Sequence, residues 1–543
     1  MSTPIVIDDL SVSFRSGPVL SGIDLIAQPA RRLALVGENG SGKSTLLRAV
    51  AGRLPAYAQV SGTVQAPADL VYVAQEPPFR DDETIAQVLA STLRPLREAV
   101  AQVEALAARL DEAEVATRYA EVLDWAIAHD AWDADRRAAL AADRLGLAAL
   151  DQTRLIGSLS GGQRTRLALA TAITRRPEAL LLDEPTNHLD DAAIEVLADF
   201  LRDLPGVVLM ASHDRVFLDE VATDLYDLDP TAFGTDGLGG RRFGGGWSEY
   251  AEARRAARAR WEETYALQQE EIKALRAATR IGADAIAHNR GPRDNDKFIY
   301  GFKGANVDRA LARRKKDAVR RLDDAEAAQV RKPRPPLTFR SDLTATAGVG
   351  RAVVVRRLEV AGRLSVPVLD LGAGDHLLVT GANGSGKSTL LGVLSGRIAP
   401  TSGEVGVHAR RVAELRQDPD FPDLRETPAA RYLAVLGAAR AEELPLRALG
   451  LIHPRDLTRP LGALSVGQRR RLDLALAIGR GPDLLLLDEP TNHLSLTLAG
   501  ELEEAIGASS GSVVVASHDR WLRRRWAGAT LALSHDRSAA LPD

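Results

Sequence analysis

The chain has 543 residues, 45% hydrophobic and 26% charged, with 69 Lys and Arg against 73 Asp and Glu for a net charge of −4. That length exceeds a single core, so at least two domains are expected, and the near-neutral balance excludes a polyanion-binding surface spread over the whole molecule. With no cysteine, disulfides, thiolate zinc sites and iron–sulfur clusters are excluded, which fits a reducing compartment.

The opening stretch, MSTPIVIDDLSVSF, lacks the basic region and apolar core of a signal peptide. No run approaches the roughly 18 apolar residues of a membrane-spanning helix, so a cytoplasmic protein is expected. RRLALVG then reads as an apolar strand, GENGSGKST (37–45) as a glycine loop, and KSTLLRAVAG as a helix. A phosphate loop needs that context. Gly37, Asn39, Gly40, Ser41 and Gly42 let backbone N–H groups close around the β- and γ-phosphates of a nucleotide at a helix N-terminus. Lys43 adds a point charge, Ser44 can hold Mg²⁺, and Thr45 completes the motif. ATP and Mg²⁺ are therefore the expected cofactors.

Residues of about 84–150 read as helical, with apolar spacings of three and four in LRPLREAVAQVEALAARLDEAE. LSGGQ follows at 159–163, then LLLDEPTNHL at 180–189. The latter predicts a buried parallel strand ending in two carboxylates, at the sheet edge where open α/β folds bind ligands. Asp183 suits the Mg²⁺ shell, Glu184 can polarise an attacking water, and Gln75 can reach the metal or the water. His213, in ASHDR after the strand GVVLMAS, can contact the γ-phosphate. A single histidine in such a place is more often structural.

From Ser248, read as an N-cap, a long helix runs through WSEYAEARRAARARWEETYALQQEEIKALRAATR. A turn-rich tip of about 281–306 comes next, then a second helix, NVDRALARRKKDAVRRLDDAEAAQV, stopped by KPRPP. Between Trp247 and Lys332 there are 20 Lys and Arg against 14 Asp and Glu, so the basic surface is confined to this linker. Its tip carries Arg290, Arg293, Lys297 and Lys303 beside Phe298, Tyr300 and Phe302. The cations can neutralise phosphates and the rings can stack on unpaired bases. The same rings could instead anchor the loop on its own hairpin. About 30 helical residues reach ~45 Å, far enough to enter a deep cleft.

The remainder repeats the first part. GANGSGKST (381–389), LSVGQ (464–468), LLLDEPTNHL (485–494) and ASHDR (516–520) recur in the same order. The second nucleotide site thus comprises Gly381, Asn383, Gly384, Ser385, Gly386, Lys387, Ser388 and Thr389, with Gln417, Asp488, Glu489 and His518. Recurrence reverses the bland reading of the two histidines. The organisation is α/β: two nucleotide-binding domains, 1–245 (with the helical insertion) and 335–543, joined by a long two-helix linker at 246–334.

LSGGQ and LSVGQ resemble the signature of ABC ATPase cassettes, and the resemblance covers both repeats. It implies a head-to-tail pair within one monomer. Ser160, Gly161, Gly162 and Gln163 would complete the Lys387 site, and Ser465, Gly467 and Gln468 the Lys43 site. Phe14 stands where the family stacks an aromatic on adenine, whereas LEVAGRLSVPVL in the second repeat has none. Asp190 is matched by Ser495, and Val466 replaces a glycine. Unequal sites are expected.

The fused cassettes, DEPTNHL in each, and the basic helical linker resemble the ABC-F family. Members bind the 70S ribosome at the tRNA exit site and place the linker near 23S rRNA and P-site tRNA at the peptidyl-transferase centre. The insertion resembles their ribosome-contacting arm, and its spacing fits plain helix packing equally well. The long tip resembles the branch that protects against macrolides, lincosamides or streptogramins. A housekeeping translation factor and a soluble ATPase serving a membrane transporter are the alternatives.

Overall fold

In a computed structural model, the described residues are 3–15, 17–37, 40–187, 189–228, 240–280, 313, 315–330, 332, 343, 350–382, 384–416, 420–491, 494 and 496–533. The chain divides into two compact units. One comprises Met1–Asp229, Gly239–Ser248 and Pro336–Asp543, and the other Pro230–Leu238 and Glu249–Pro335. Among the described residues no helix is long and apolar enough to cross a membrane.

The first unit writes one α/β plan twice. Its first repeat has a six-stranded sheet in the order Leu70–Val73, Ala179–Asp183, Val207–Ala211, Arg32–Val36, Asp224–Asp227, Arg241–Gly244. All neighbours are parallel except the last pair. The second repeat has five parallel strands, Val412–Leu415, Leu484–Asp488, Ser512–Ala516, His376–Thr380 and Ala529–Ala532. Central strands ALLLD, VVLMA, LLLLD and SVVVA are buried at every position, which is why they are continuous apolar runs rather than alternating ones.

Each repeat adds a three-stranded antiparallel sheet: Gly17–Ala27, Ile5–Phe14 and Gln59–Gln65, and Leu364–Gly372, Arg351–Val360 and Ser402–Val407. These strands alternate, and their inward residues share one core with the parallel sheet. Leu10, Leu20 and Leu25 pack with Leu33, Leu181 and Leu209; Val353, Leu358 and Val366 pack with Leu377, Leu486 and Val514.

The insertion is helical, as the spacing predicts: Ile85–Ala107, Ala113–Ala128 and Ala134–Arg144. Thr84 and Gln87 form a capping box at its start. Leu93, Leu96 and Val103 pack against Val122 and Ala126, so the apolar stripe closes on the insertion itself. Among the described residues, the second repeat has the short α-helices Pro428–Leu436 and Ala438–Glu443 there, followed by 3-10 turns.

In the linker, helix Trp247–Arg280 starts one residue before the expected cap. Ser248 lies inside its first turn and donates through N–H (2.8 Å) and Oγ (2.6 Å) to the Asp219 carboxylate. A carboxylate from outside therefore satisfies this free helix end, and Ser248 is not the N-cap. A second helical stretch covers 315–327. Arg276 bonds Glu326 at 2.7 Å, and the Gln268 amide donates to Ala328 O (3.3 Å) and accepts from Val330 N–H (2.8 Å). The tip, with Arg290, Arg293, Lys297, Phe298, Tyr300, Phe302 and Lys303, lies outside the described residues.

Candidate nucleotide sites

Both glycine loops end in a glycine whose conformation other residues avoid. Gly42 and Gly386 stand at φ 97° and 98°. A Cβ on them would lie 2.5 Å from Leu20 Cδ2 and 2.6 Å from Arg363 O. The chain turns there into helices Lys43–Val50 and Lys387–Leu394. The turn brings each lysine back over its own loop: Lys43 Nζ donates to Gly37 O at 3.0 Å, and Lys387 Nζ to Gly381 O at 2.8 Å and Ala382 O at 3.2 Å. Both lysines are buried. Burial holds the Lys387 ammonium below its ordinary pKa, opposed by Glu489 and Asp488. Ser41 and Ser385 Oγ are buried and have no hydrogen-bond partner among the described residues, so each loop keeps a polar atom for a ligand. Asn39 and Asn383 lie outside the described residues.

The buried strands Ala179–Asp183 and Leu484–Asp488 deliver the carboxylates to these loops. Ser44 Oγ donates to Asp183 Oδ1 at 2.9 Å, and Tyr72 donates to Oδ2 at 3.1 Å. In the second site the Ser388 hydroxyl lies beside Asp488 and favours its ionised form. Burial raises both aspartates above the usual carboxylate range, with these hydroxyls pulling the other way. Asp488 Oδ1 is buried without a hydrogen-bond partner among the described residues. A serine hydroxyl beside a desolvated aspartate is the oxygen donor set that suits Mg²⁺, so the residues present fit that ion in both sites. Thr45 and Thr389 follow these serines in the first turn of their helices.

Glu184 and Glu489 come next, both left-handed at φ 52° and 48°. Their N–H groups donate to Ala211 O and Ala516 O at 2.8 Å, which ties each to the neighbouring strand end. That strand carries the histidine. In the second site His518 Nδ1 meets Glu489 Oε1 at 2.7 Å, and Ser517 Oγ donates to Oε2 at 3.2 Å. This contact raises the His518 pKa above its ordinary value, against burial. In the first site His213 Nε2 stands 3.3 Å from Glu184 Oε1, and its Nδ1 is buried without a partner among the described residues. Burial, with Lys43 adding to it, pushes the His213 pKa down to about 3.

The signature serines open helices Gly161–Arg175 and Val466–Gly479. Ser160 with Gln163, and Ser465 with Gln468, form reciprocal capping boxes, and the Gln468 amide also donates to Asp456 at 2.8 Å. Gly161 and Ser160 are exposed, Gly162 and Gly467 half-buried, and Val466 is 51% exposed. Phe14 is half-buried, with the ring of Tyr57 at 6.1 Å and 61°. Gln75 is exposed just after strand Leu70–Val73, and Gln417 lies outside the described residues.

Sequence reasoning missed the groups that join the repeats. Arg215, two residues past His213, forms a buried ion pair with Glu503 and reaches Asp519 at 3.4 Å. Its counterpart Arg520 bonds Glu220 at 3.2 Å, Arg524 bonds the same carboxylate at 2.8 Å, and Arg523 bonds Asp191 at 2.7 Å. The matched ASHDR motifs carried the signal, since each ends in one of these arginines.

The ABC transporter family model matches residues 20–187 and 365–492. Over 95% of its length the chain is 38% identical to the tylosin resistance ATP-binding protein TlrC of Streptomyces fradiae, covering 94% of that protein. It is 31% identical over 98% of its length to the energy-dependent translational throttle protein EttA of Mycobacterium tuberculosis, covering 89% of it. The solved RNase-L inhibitor superposes with a TM-score of 0.54 over 95% of this chain and 85% of the other, at 18% identity, a likeness of fold. Two cassettes with intact lysine, aspartate, glutamate and histidine, matched end to end by such relatives, make the chain an ATPase; it belongs to the ABC family and, within it, to the ABC-F proteins.

Proposed function

We propose that this ATPase binds the bacterial ribosome at the tRNA exit site and protects it from antibiotics acting near the peptidyl-transferase centre. The observation that carries this reading is the end-to-end similarity to a tylosin resistance protein, basic linker included. Lys43 and Lys387 would hold the ATP phosphates, Ser44 with Asp183 and Ser388 with Asp488 would hold Mg²⁺, and Glu184 and Glu489 would polarise the attacking water. The metal, when bound, would supply neutralisation of phosphate charge. His213 and His518 stand beside the carboxylates, where they would face the γ-phosphate, and Gln75 and Gln417 would serve the metal or the water. Each signature, Ser160 to Gln163 or Ser465 to Gln468, completes the opposite site in a monomer. ATP closes the pair, hydrolysis opens it, and the linker tip at 281–306 transmits that change to 23S rRNA and P-site tRNA.

Expression in a susceptible bacterium tests this. The intact chain should raise tolerance to tylosin or related drugs at least fourfold, and deleting 288–304 should abolish the gain while leaving ATPase activity within about twofold. No protection, with an altered rate of first peptide-bond formation instead, would favour a translation factor, the reading supported by the similarity to EttA.

A further inference from the structure

The repeats diverge where each signature helix runs behind its acidic strand. In the first, Thr165 donates its hydroxyl to Gly161 O of its own helix at 3.1 Å. At the matching place in the second stands Arg470, 2% exposed. Its Nη2 donates to Asp488 O at 2.7 Å and to Glu489 O at 2.6 Å. These two oxygens belong to the peptide planes on either side of the Glu489 Cα. Fixing both planes fixes φ and ψ, and with them the direction in which the carboxylate leaves the backbone. The φ of Glu489, 48°, is one that non-glycine residues hold at a cost of order 1 kcal/mol; Glu184 shares it at 52°, so what the second site adds is the clamp on both flanking carbonyls.

A second substitution accompanies the first. Ala168 of the first repeat becomes Asp473, one turn beyond Arg470. Burial pushes the Asp473 carboxyl up to about 6, with Arg416, Arg480 and Arg470 pulling it down. The second repeat thus carries a buried guanidinium and, three residues on along the same helix, a carboxylate, where the first has Thr165 and Ala168.

We propose that Arg470 is a positioning residue of the second site: by holding both carbonyls that flank Glu489, it aims the carboxylate at the attacking water. Hydrolysis at this site then depends on a guanidinium anchor that position 165 does not supply to the first. The proposal rests on the reading of Glu489 as the water-polarising group.

The test uses the full chain with Glu184→Gln, so that turnover reports the second site. Adding Arg470→Thr, the residue of the first repeat, should lower kcat at least tenfold with KM for ATP kept within twofold. Arg470→Lys, which keeps the charge and a donor, should recover part of the loss. Unchanged kcat, or a loss expressed mainly in KM, would overturn the proposal. If Arg470→Thr does not fold, as judged by its melting curve, Arg470→Lys decides alone: reduced kcat at constant KM supports the role, and full activity removes it. Glu184→Gln with Glu489→Gln separates the two readings, since continued turnover there would sink the reading of the glutamates and leave Arg470 with nothing to position.

Discussion

The two repeats keep the same lysine, aspartate, glutamate and histidine at their candidate sites but hold them differently. In the first, the signature helix reaches the region after the acidic strand through Arg166, which bonds the Asp190 carboxylate at 3.0 Å. Asp190 in turn caps the next helix by accepting from Ala193 N–H at 2.9 Å. In the second, Ser495 stands at the position of Asp190, and Arg470 grips the backbone around Glu489 instead. The first contact fastens the signature helix to the start of the helix after the acidic strand, through an ion pair whose partners are 25% and 50% exposed; the second fastens it to the strand end itself, through a buried guanidinium on main-chain oxygens. The two repeats thus share these residues while the contacts that surround them differ.

The comparison breaks most directly at the glutamates. Glu184→Gln and Glu489→Gln together should reduce ATP turnover by about a hundredfold or more, the range expected when a general base is lost. The single variants should leave different residual rates, because the supports differ. Equal residual rates in steady-state assays would make the structural asymmetry kinetically silent.

A smaller effect separates the histidines. His213, with a pKa pushed down to about 3, should stay neutral from pH 5 to 8, while His518 should titrate with a midpoint above 6.5. The signs of the linked stabilities are opposite. The His518–Glu489 contact stabilises the fold below about pH 6.5 and loses that contribution as pH rises through the raised value. Keeping His213 neutral costs stability as pH falls below about 6.5. Imidazole NMR signals, assigned with His213→Gln and His518→Gln, measure both; two coincident titrations would contradict the difference in packing.

Much of this was legible in the sequence because it is local or periodic. The glycine loops, the apolar runs before Asp183 and Asp488, and the helical insertion each follow from a short pattern that one element imposes. Repetition then promoted His213 and His518 from ordinary residues to site residues. Illegible were the groups whose partners are remote in sequence. Arg215 with Glu503 and Arg520 with Glu220 join residues of different repeats; the repeated ASHDR marks the two arginines, but nothing local marks their partners. Tyr57 beside Phe14 escaped notice because it lies in a turn, and Asp219 displaced Ser248 at the linker helix because a distant carboxylate outcompeted the local hydroxyl. Arg470 was visible as a letter in LSVGQRRRLDL, but only the fold shows which oxygens it reaches.

The most direct test of the proposed ribosome binding is sedimentation. The full chain carrying Glu184→Gln and Glu489→Gln, given ATP and purified 70S ribosomes, should pellet with them in near-stoichiometric amount. The parental chain with ADP should stay in the supernatant, and the bound fraction should fall as salt rises, because Lys and Arg of the linker displace counterions from RNA. An ATP-loaded double variant that remains in the supernatant at low salt would contradict the account.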